Sequence, residues 1–169
     1  MTEANEPSSE EGQAGRIAVR GSARVHGLSA ARIRGAVRGA LGGRRVSSLS
    51  VAIVDDATIA SLHERFLDDP SPTDVLTFDL RDDEDDSAIE GEIVVSADTA
   101  RRQGGSYGRP PHEEVLRYVI HGVLHLTGLD DGTAAQRKRM RREEDRVLAG
   151  LDPRPEAERA GRRRTGRGV

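Results

Sequence analysis

The period of the apolar positions changes several times along the chain, and each change marks an element. Ile17 and Val19 alternate with polar neighbours as a short strand does. Ser29 then stands ahead of Ile33, Val37 and Leu41, a helical stripe capped at its start and closed by Gly42 and Gly43. Leu49, Val51 and Ile53 return to a period of two within a β-branched run. Asp56 is placed to cap a following helix with Ile59, Leu62 and Phe66 on one side. Pro70 and Pro72 turn the chain into a strand over 75–80 (VLTFDL). The acidic loop RDDEDDSAIE separates it from another strand over 91–96 (GEIVVS). A short helix is expected over 98–103, and a loop, GGSYGRPP, over 104–111.

The segment 113–126 differs from the other helices. Val115, Leu116, Tyr118, Val119, Ile120, Val123, Leu124 and Leu126 surround its axis, which predicts a buried helix. Past the first turn its polar residues are Arg117, His121 and His125. Gly128 stops it, and Thr133 with Gln136 three residues later forms a capping-box signal for a last helix with Met140 and Val147 on its inner stripe. Strands interleaved with helices predict an α/β (α+β) fold, with a small mixed sheet of about four strands packed with about five helices.

Composition changes this picture in two ways. The 169 residues include no cysteine, so disulfides and thiolate sites are excluded and His, Asp and Glu are the available metal ligands. The net charge of −3 hides an uneven distribution, with acid near the start and in the loop after 80, and base toward the end. Arg162, Arg163, Arg164 and Arg167 cluster in the last residues, and RKRMRREEDR lies just before them; guanidinium groups of this density suit phosphate as well as a solvated helix face. The expected organisation is a disordered acidic tail over 1–16, one hydrolase domain over 17–151 and a disordered basic tail over 152–169. The opening MTEANEPSSEEGQAG has no apolar run, so neither a secretory segment nor a membrane span is expected there, and a cytoplasmic location fits. A monomer is the expectation for oligomeric state.

The chemistry concentrates in HGVLHLTGLDD. Two imidazoles four residues apart lie one turn apart on one helix face, where they can chelate one ion. Gly128, three residues past His125, lets the chain turn back so that Asp131 meets the same ion, with Asp130 the competing third ligand. The competing account makes His121 and His125 satisfied core residues and Asp131 a helix cap. Against it, two imidazoles in an apolar helix need partners, a shared metal serves both, and Thr133 already supplies the cap. Three protein ligands, His121, His125 and Asp131, leave a fourth position for water, as in hydrolytic zinc sites, so one Zn2+ and its bound water are the expected catalytic apparatus. The spacing matches H-E-x-x-H-x-x-G-x-x-H of the metzincins, but Gly122 replaces the glutamate that acts as general base, which disfavours a peptidase.

The same segment resembles the signature of the bacterial YbeY family, rRNA maturation endoribonucleases, close to HGxLHLxGYDH. His121, Gly122, Leu124, His125, Leu126, Gly128 and Asp130 match it. LHERFLDDPSPTDVLTF resembles a second family block through Pro72, Thr73, Asp74, Val75, Leu76 and Phe78, and GEIVVS resembles its Gly-Asp-Ile strand. The resemblance implies a zincin-like fold, one zinc, and cleavage of single-stranded RNA at the 16S rRNA 3′ end with a role in ribosome quality control, so RNA and the ribosome are the implied partners. Two positions depart from it: Asp131 stands where most members have a third histidine, and Leu67 where many have an arginine. A carboxylate cancels one unit of metal charge, so the bound water should be less acidic and the pH optimum more alkaline than at a three-histidine site. Arg65 or a basic residue of the last helix is a candidate substitute for the missing arginine.

Thr73 and Asp74 are candidate cleft residues, with a turn-then-strand role as the alternative. Glu114 is either an acceptor for an imidazole N–H or a solvated first-turn acid. His26, His63 and His112 are isolated and carry no assignment. With only two Phe, two Tyr and no Trp, an aromatic stacking surface is not expected, so a cleft that grips backbone is favoured over a pure single-strand binding module. A metallopeptidase and an RNA- or ribosome-binding protein with a structural metal remain the alternatives.

Overall fold

The computed structural model describes residues 15–82 and 88–151. Of the tails expected over 1–16 and 152–169, residues 1–14 and 152–169, with the clustered arginines of the latter, lie outside the described residues, as does most of the acidic loop; Arg16 already belongs to the first strand. Four strands form one sheet in the order β1-β2-β4-β3. β1 (Arg16–Arg20), β2 (Val46–Val54) and β4 (Ile89–Ser96) run parallel, and β3 (Val75–Asp79) closes one edge antiparallel to β4. Parallel neighbours need a crossover. α1 (Ala30–Leu41) makes the crossover from β1 to β2, capped by the Ser29 hydroxyl, which accepts from the Arg32 amide, and ended by Gly42 in the left-handed region.

Alternation along the strands divides the core. Leu49, Val51, Ile53, Ile93 and Val95 point to the face covered by α1 and α4 (Pro111–Leu126), where Ile33, Val37, Leu116 and Ile120 meet them fully buried, and α5 (Ala134–Leu151) packs against those two helices. The opposite face carries a smaller cluster of Ile59, Leu76 and Val94 beneath α2 (Asp56–Leu67). None of the helices among the described residues is long and apolar enough to cross a membrane.

Several local expectations shift. Asp55, not Asp56, caps α2: its carboxylate accepts from the Thr58 amide at 2.8 Å. Asp56 is thereby released to bind the Ser96 hydroxyl at 2.6 Å, the Thr99 hydroxyl at 3.0 Å and the Arg102 guanidinium at 2.6 Å, joining α2 to α3 (Ala97–Tyr107). α3 continues four residues past the expected stop, through Gly104 and Gly105, because Arg109 N–H and Gly108 N–H close its end on the Gly104 and Gly105 carbonyls. Gly104 also packs too closely against the Arg109 carbonyl for a side chain, 2.7 Å from where a Cβ would sit. Phe66, placed on the inner stripe of α2 by periodicity, is 54% exposed. That turn of α2 meets the sheet only at its edge strand, where the Phe66 ring packs edge-to-face on Phe78 of β3.

Candidate metal centre

The local sequence explains the shape of the centre. α4 is apolar on nearly all sides because it is packed between the sheet, α1, α3 and α5, and its one half-exposed strip carries His121 and His125. Gly122 sits on the sheet side. A Cβ there would stand 2.8 Å from the Thr77 hydroxyl and 3.1 and 3.2 Å from Ile93 side-chain atoms, so α4 approaches β3 and β4 at a distance only glycine permits. The second position of the HxxxH motif is therefore closed to a glutamate by packing.

Past Leu126 the chain reverses. Gly128 adopts φ +100°, its N–H donates to the His125 carbonyl at 3.0 Å, and Leu129 N–H donates to the Leu124 carbonyl at 3.0 Å. Arg137 of α5 donates to the Asp131 and Gly132 carbonyls at 3.2 and 3.1 Å and pins the returning segment. Thr133 and Gln136 satisfy each other's amides at 2.9 and 3.1 Å, so the capping box is complete without Asp131. The Asp131 carboxylate lies 3.5 Å from His121 Nε2 and 3.6 Å from His125 Nε2, and the two ring nitrogens lie 3.0 Å apart. Asp130 is exposed and stays outside this group.

Those separations are those of donors sharing one ion: bonds of about 2.0–2.1 Å in a tetrahedron put donors about 3.3–3.4 Å apart. The group of His121, His125 and Asp131 could hold a metal ion. Two nitrogens facing each other at 3.0 Å with a carboxylate beside them call for a cation between them. The tautomer agrees. Glu144, buried on α5, accepts from His121 Nδ1 at 2.8 Å; a carboxylate only accepts, so Nδ1 carries the hydrogen and the Nε2 lone pair faces the group. Burial disfavours the charged His121 ring, but the hydrogen bond to Glu144 and the charges of Glu144, Asp131 and Asp74 outweigh it and raise its proton affinity above the usual value. The field at this spot attracts positive charge.

Glu144 went unnoticed in the sequence, although it falls on the inner stripe between Met140 and Val147, where an acid is out of place. Arg117, one turn before His121, holds the other Glu144 oxygen at 3.1 Å and reaches Asp145 at 2.9 Å. Glu114 fits neither of its expected roles. It is 3% exposed, paired with Arg109 at 3.2 Å and facing Tyr118, whose phenol burial and nearby acids push well above its usual range.

Two clefts meet at His121. One, of about 610 Å3, runs along β3 and is lined by Phe66, Leu67, Asp74, Thr77 and His125; the other, of about 210 Å3, lies against α5 beside Asp131, Arg137, Arg141 and Glu144. Asp74 borders both. Thr73 and Arg65 line neither cleft: Thr73 turns its hydroxyl to the Asp74 carboxylate at 3.4 Å, and exposed Arg65 stacks 5.4 Å from the Phe66 ring centroid. Leu67, 60% exposed, stands on the cleft wall, and Arg137 and Arg141 of the last helix supply the guanidinium groups on the opposite side. Phe66 and Phe78, the only phenylalanines in the chain, pair edge-to-face at 5.2 Å on the same wall. The two phenylalanines, few as they are, thus stand together on the cleft wall.

Comparison with known proteins agrees with this architecture. The solution structure of TM1509 from Thermotoga maritima has the same fold, with a TM-score of 0.55 and 24% identity, over 80% of this chain and 89% of that one. Relatives called Endoribonuclease YbeY include that of Salinibacter ruber, 37% identical over 119 residues, covering 67% of this chain and 76% of the relative. Those of Carboxydothermus hydrogenoformans and Cutibacterium acnes are each 38% identical, covering 63% of this chain and 74% and 73% of theirs. The family model described as Endoribonuclease YbeY matches residues 30–152, from the start of α1 to just past α5 and including every member of the histidine–aspartate group, and the chain belongs to that family.

Proposed function

We propose that this protein is a metal-dependent endoribonuclease that cuts single-stranded RNA, acting in the cytoplasm on ribosomal RNA at the 16S 3′ end and in ribosome quality control. The observation that carries this reading is the triangle of His121 Nε2, His125 Nε2 and Asp131, open toward a cleft walled by Phe66 and Phe78. His121, His125 and Asp131 would hold the ion, and zinc suits two imidazoles and one carboxylate. When bound, it supplies Lewis acidity at a phosphodiester and activates water.

The remaining roles belong to the chain. Glu144 fixes the His121 tautomer, and Arg137 fixes the Asp131 segment. The exposed Phe66 ring, backed by Phe78, offers a face on which an unpaired base stacks, which favours single strands over duplex. Arg137 and Arg141 border the centre where an anionic phosphate needs donors. Close packing at Gly122 leaves no glutamate to serve as the peptidase base.

The test is incubation of purified protein with ribosomal RNA, with and without chelator, alongside His125→Ala. Cleavage that chelator and the substitution both abolish supports the reading. Cleavage that survives both belongs to a contaminating nuclease and removes its support. RNA binding without cleavage, with metal retained, would make the ion structural.

A further inference from the structure

Arginine side chains collect at a second place, away from the metal. Arg16 of β1, Arg38 of α1, and Arg44 and Arg45 of the following turn surround a groove of about 840 Å3. All four are exposed. Among the described residues no carboxylate lines that groove, and none of the four guanidinium groups has a carboxylate partner. Elsewhere on this surface arginines are commonly paired: Arg20 with Glu92, Arg101 with Asp98, Arg102 with Asp56, Arg146 with Glu143. Four unpaired guanidinium groups around one concavity repel one another, so the groove is poised for an anion carrying several charges.

The groove also connects to the metal centre. Arg44 and Arg45 form one wall of an adjoining hollow of about 400 Å3, whose far side is Leu126, Thr127 and Gly128 at the end of α4. Leu126 is also a wall of the β3 cleft that contains His125. The β3 cleft, from Asp74 to Asp79, and the hollow before Arg44 and Arg45 thus share the buried Leu126 as a wall, with Arg81, bonded to the Asp79 carboxylate and the Leu126 carbonyl, standing at their junction. β3 alone is about 17 Å long at about 3.4 Å per residue, so the arginines lie beyond the reach of a single nucleotide held at the metal.

We infer that Arg16, Arg38, Arg44 and Arg45 form a backbone-binding arm for single-stranded RNA, gripping phosphates several nucleotides away from the bond at the metal. The inference rests on the proposed ribonuclease function for its ligand, but its test does not depend on cleavage. The arm reads no sequence. It adds length-dependent affinity.

The probe is a fluorescent single-stranded RNA of about 16 nucleotides, bound to the full chain in chelator so that nothing is cut, over a series of salt concentrations. Arg38→Gln, Arg44→Gln and Arg45→Gln together are compared with Lys138→Gln, Arg139→Gln and Arg142→Gln, an equal loss of charge on exposed positions of α5. Each phosphate contact contributes a log–log salt slope of about −0.7 for single strands, so the groove variant should flatten the slope by about 2. The α5 variant should change it by much less. On an RNA of about four nucleotides, too short to leave the cleft, the groove variant should keep wild-type cleavage. Equal slopes for the two variants overturn the inference and leave the groove to an acidic protein surface. A flattened slope in a protein that cleaves no RNA would sink the ribonuclease reading and leave the arm standing. Circular dichroism checks that both variants fold.

Discussion

Substitution of Glu144 is the sharpest probe of the metal centre, because this residue touches no proposed ligand atom and acts only through His121. Its carboxylate accepts from His121 Nδ1 at 2.8 Å and from Arg117 at 3.1 Å. In Glu144→Gln one oxygen becomes an NH2. With the amide oxygen toward His121, the NH2 meets the Arg117 guanidinium, donor against donor; reversed, the NH2 faces Nδ1 and forces the ring proton onto Nε2, the nitrogen the metal needs. The first arrangement should prevail, since Arg117 keeps Asp145 at 2.9 Å. The remaining loss is the negative charge that makes the imidazole a better donor. Substitutions of such partners weaken metal binding by roughly 10–100-fold, so Glu144→Gln should fall near tenfold and Glu144→Ala nearer a hundredfold. Glu144→Ala also strips one partner from a buried pair, which costs up to about 3–5 kcal/mol, reduced here by Asp145. Zinc affinity would be read by chelator competition on protein shown to be folded. Arg117→Gln breaks the same ion pair but leaves the His121 contact, so a purely structural role for Glu144 would make the two variants alike. A Glu144→Ala protein that binds zinc within twofold of wild type would refute the argument.

Other positions give independent checks. Gly122→Ala should lower the unfolding free energy measured in urea by about 1–3 kcal/mol of overpacking, offset by about 1 kcal/mol of helix propensity, and Thr77→Ala should recover part of any loss; a variant more stable than wild type would remove the packing account of the missing glutamate. Phe66→Ala should raise KM for single-stranded RNA by the equivalent of about 1–3 kcal/mol of stacking with kcat little changed, and because the ring is 54% exposed the melting temperature should hardly move. Asp131→His should keep the metal and shift the pH–rate profile to lower pH, whereas a shift to higher pH would contradict the charge argument. Asp56 is held below the usual carboxylate range mainly by its bond to Arg102, so its stabilisation is present above pH 3.8 and is lost as pH falls through the lower folded value. Asp56→Asn should therefore melt at lower temperature than wild type at pH 7, with the gap closing below pH 3.8.

How much of this was legible in the sequence depends on the range of the interactions. The stripes of α1 and α4 and the alternation of β2 and β4 are local consequences of burial, and they lie where periodicity placed them, within a few residues. The bend at Gly128 was equally local, since a glycine after an apolar helix has one obvious use. Phe66 obeyed its local pattern and still lines the cleft, because it meets the sheet at the edge strand, where Phe78 covers only part of its ring. Glu144 was missed although its place on the inner stripe marks it, because its meaning depends on His121, 23 positions away. Of the two candidates offered for the missing arginine, Arg65 lines neither cleft, whereas basic residues of the last helix, Arg137 and Arg141, line the one beside Asp131; which of that helix's arginines do so is set by packing alone. Shared walls are a property of the surface, and so the link from the metal cleft to Arg44 and Arg45 has no trace in spacing.

Charge ties the two arginine groups to the third ligand. A divalent ion at His121, His125 and Asp131 loses one unit to Asp131 and a second to Glu144 behind His121, and Asp74 lies close enough to act on the same ring. Arg117 returns one unit but divides it between Glu144 and Asp145. The centre therefore presents little net positive charge to a phosphodiester, less than a three-histidine centre would. Attraction for a polyanion has to come from outside the ligand set, and screening confines it: at about 8 Å Debye length in 0.15 M salt, an exposed guanidinium acts on the phosphates passing directly over it. In the proposed ribonuclease Arg137 and Arg141 would serve the reacting phosphate, and the groove from Arg45 to Arg16 phosphates further along. A carboxylate ligand and a distant basic arm are in this sense one arrangement, in which the ion is tuned for chemistry and affinity is delegated to arginines that take no part in it.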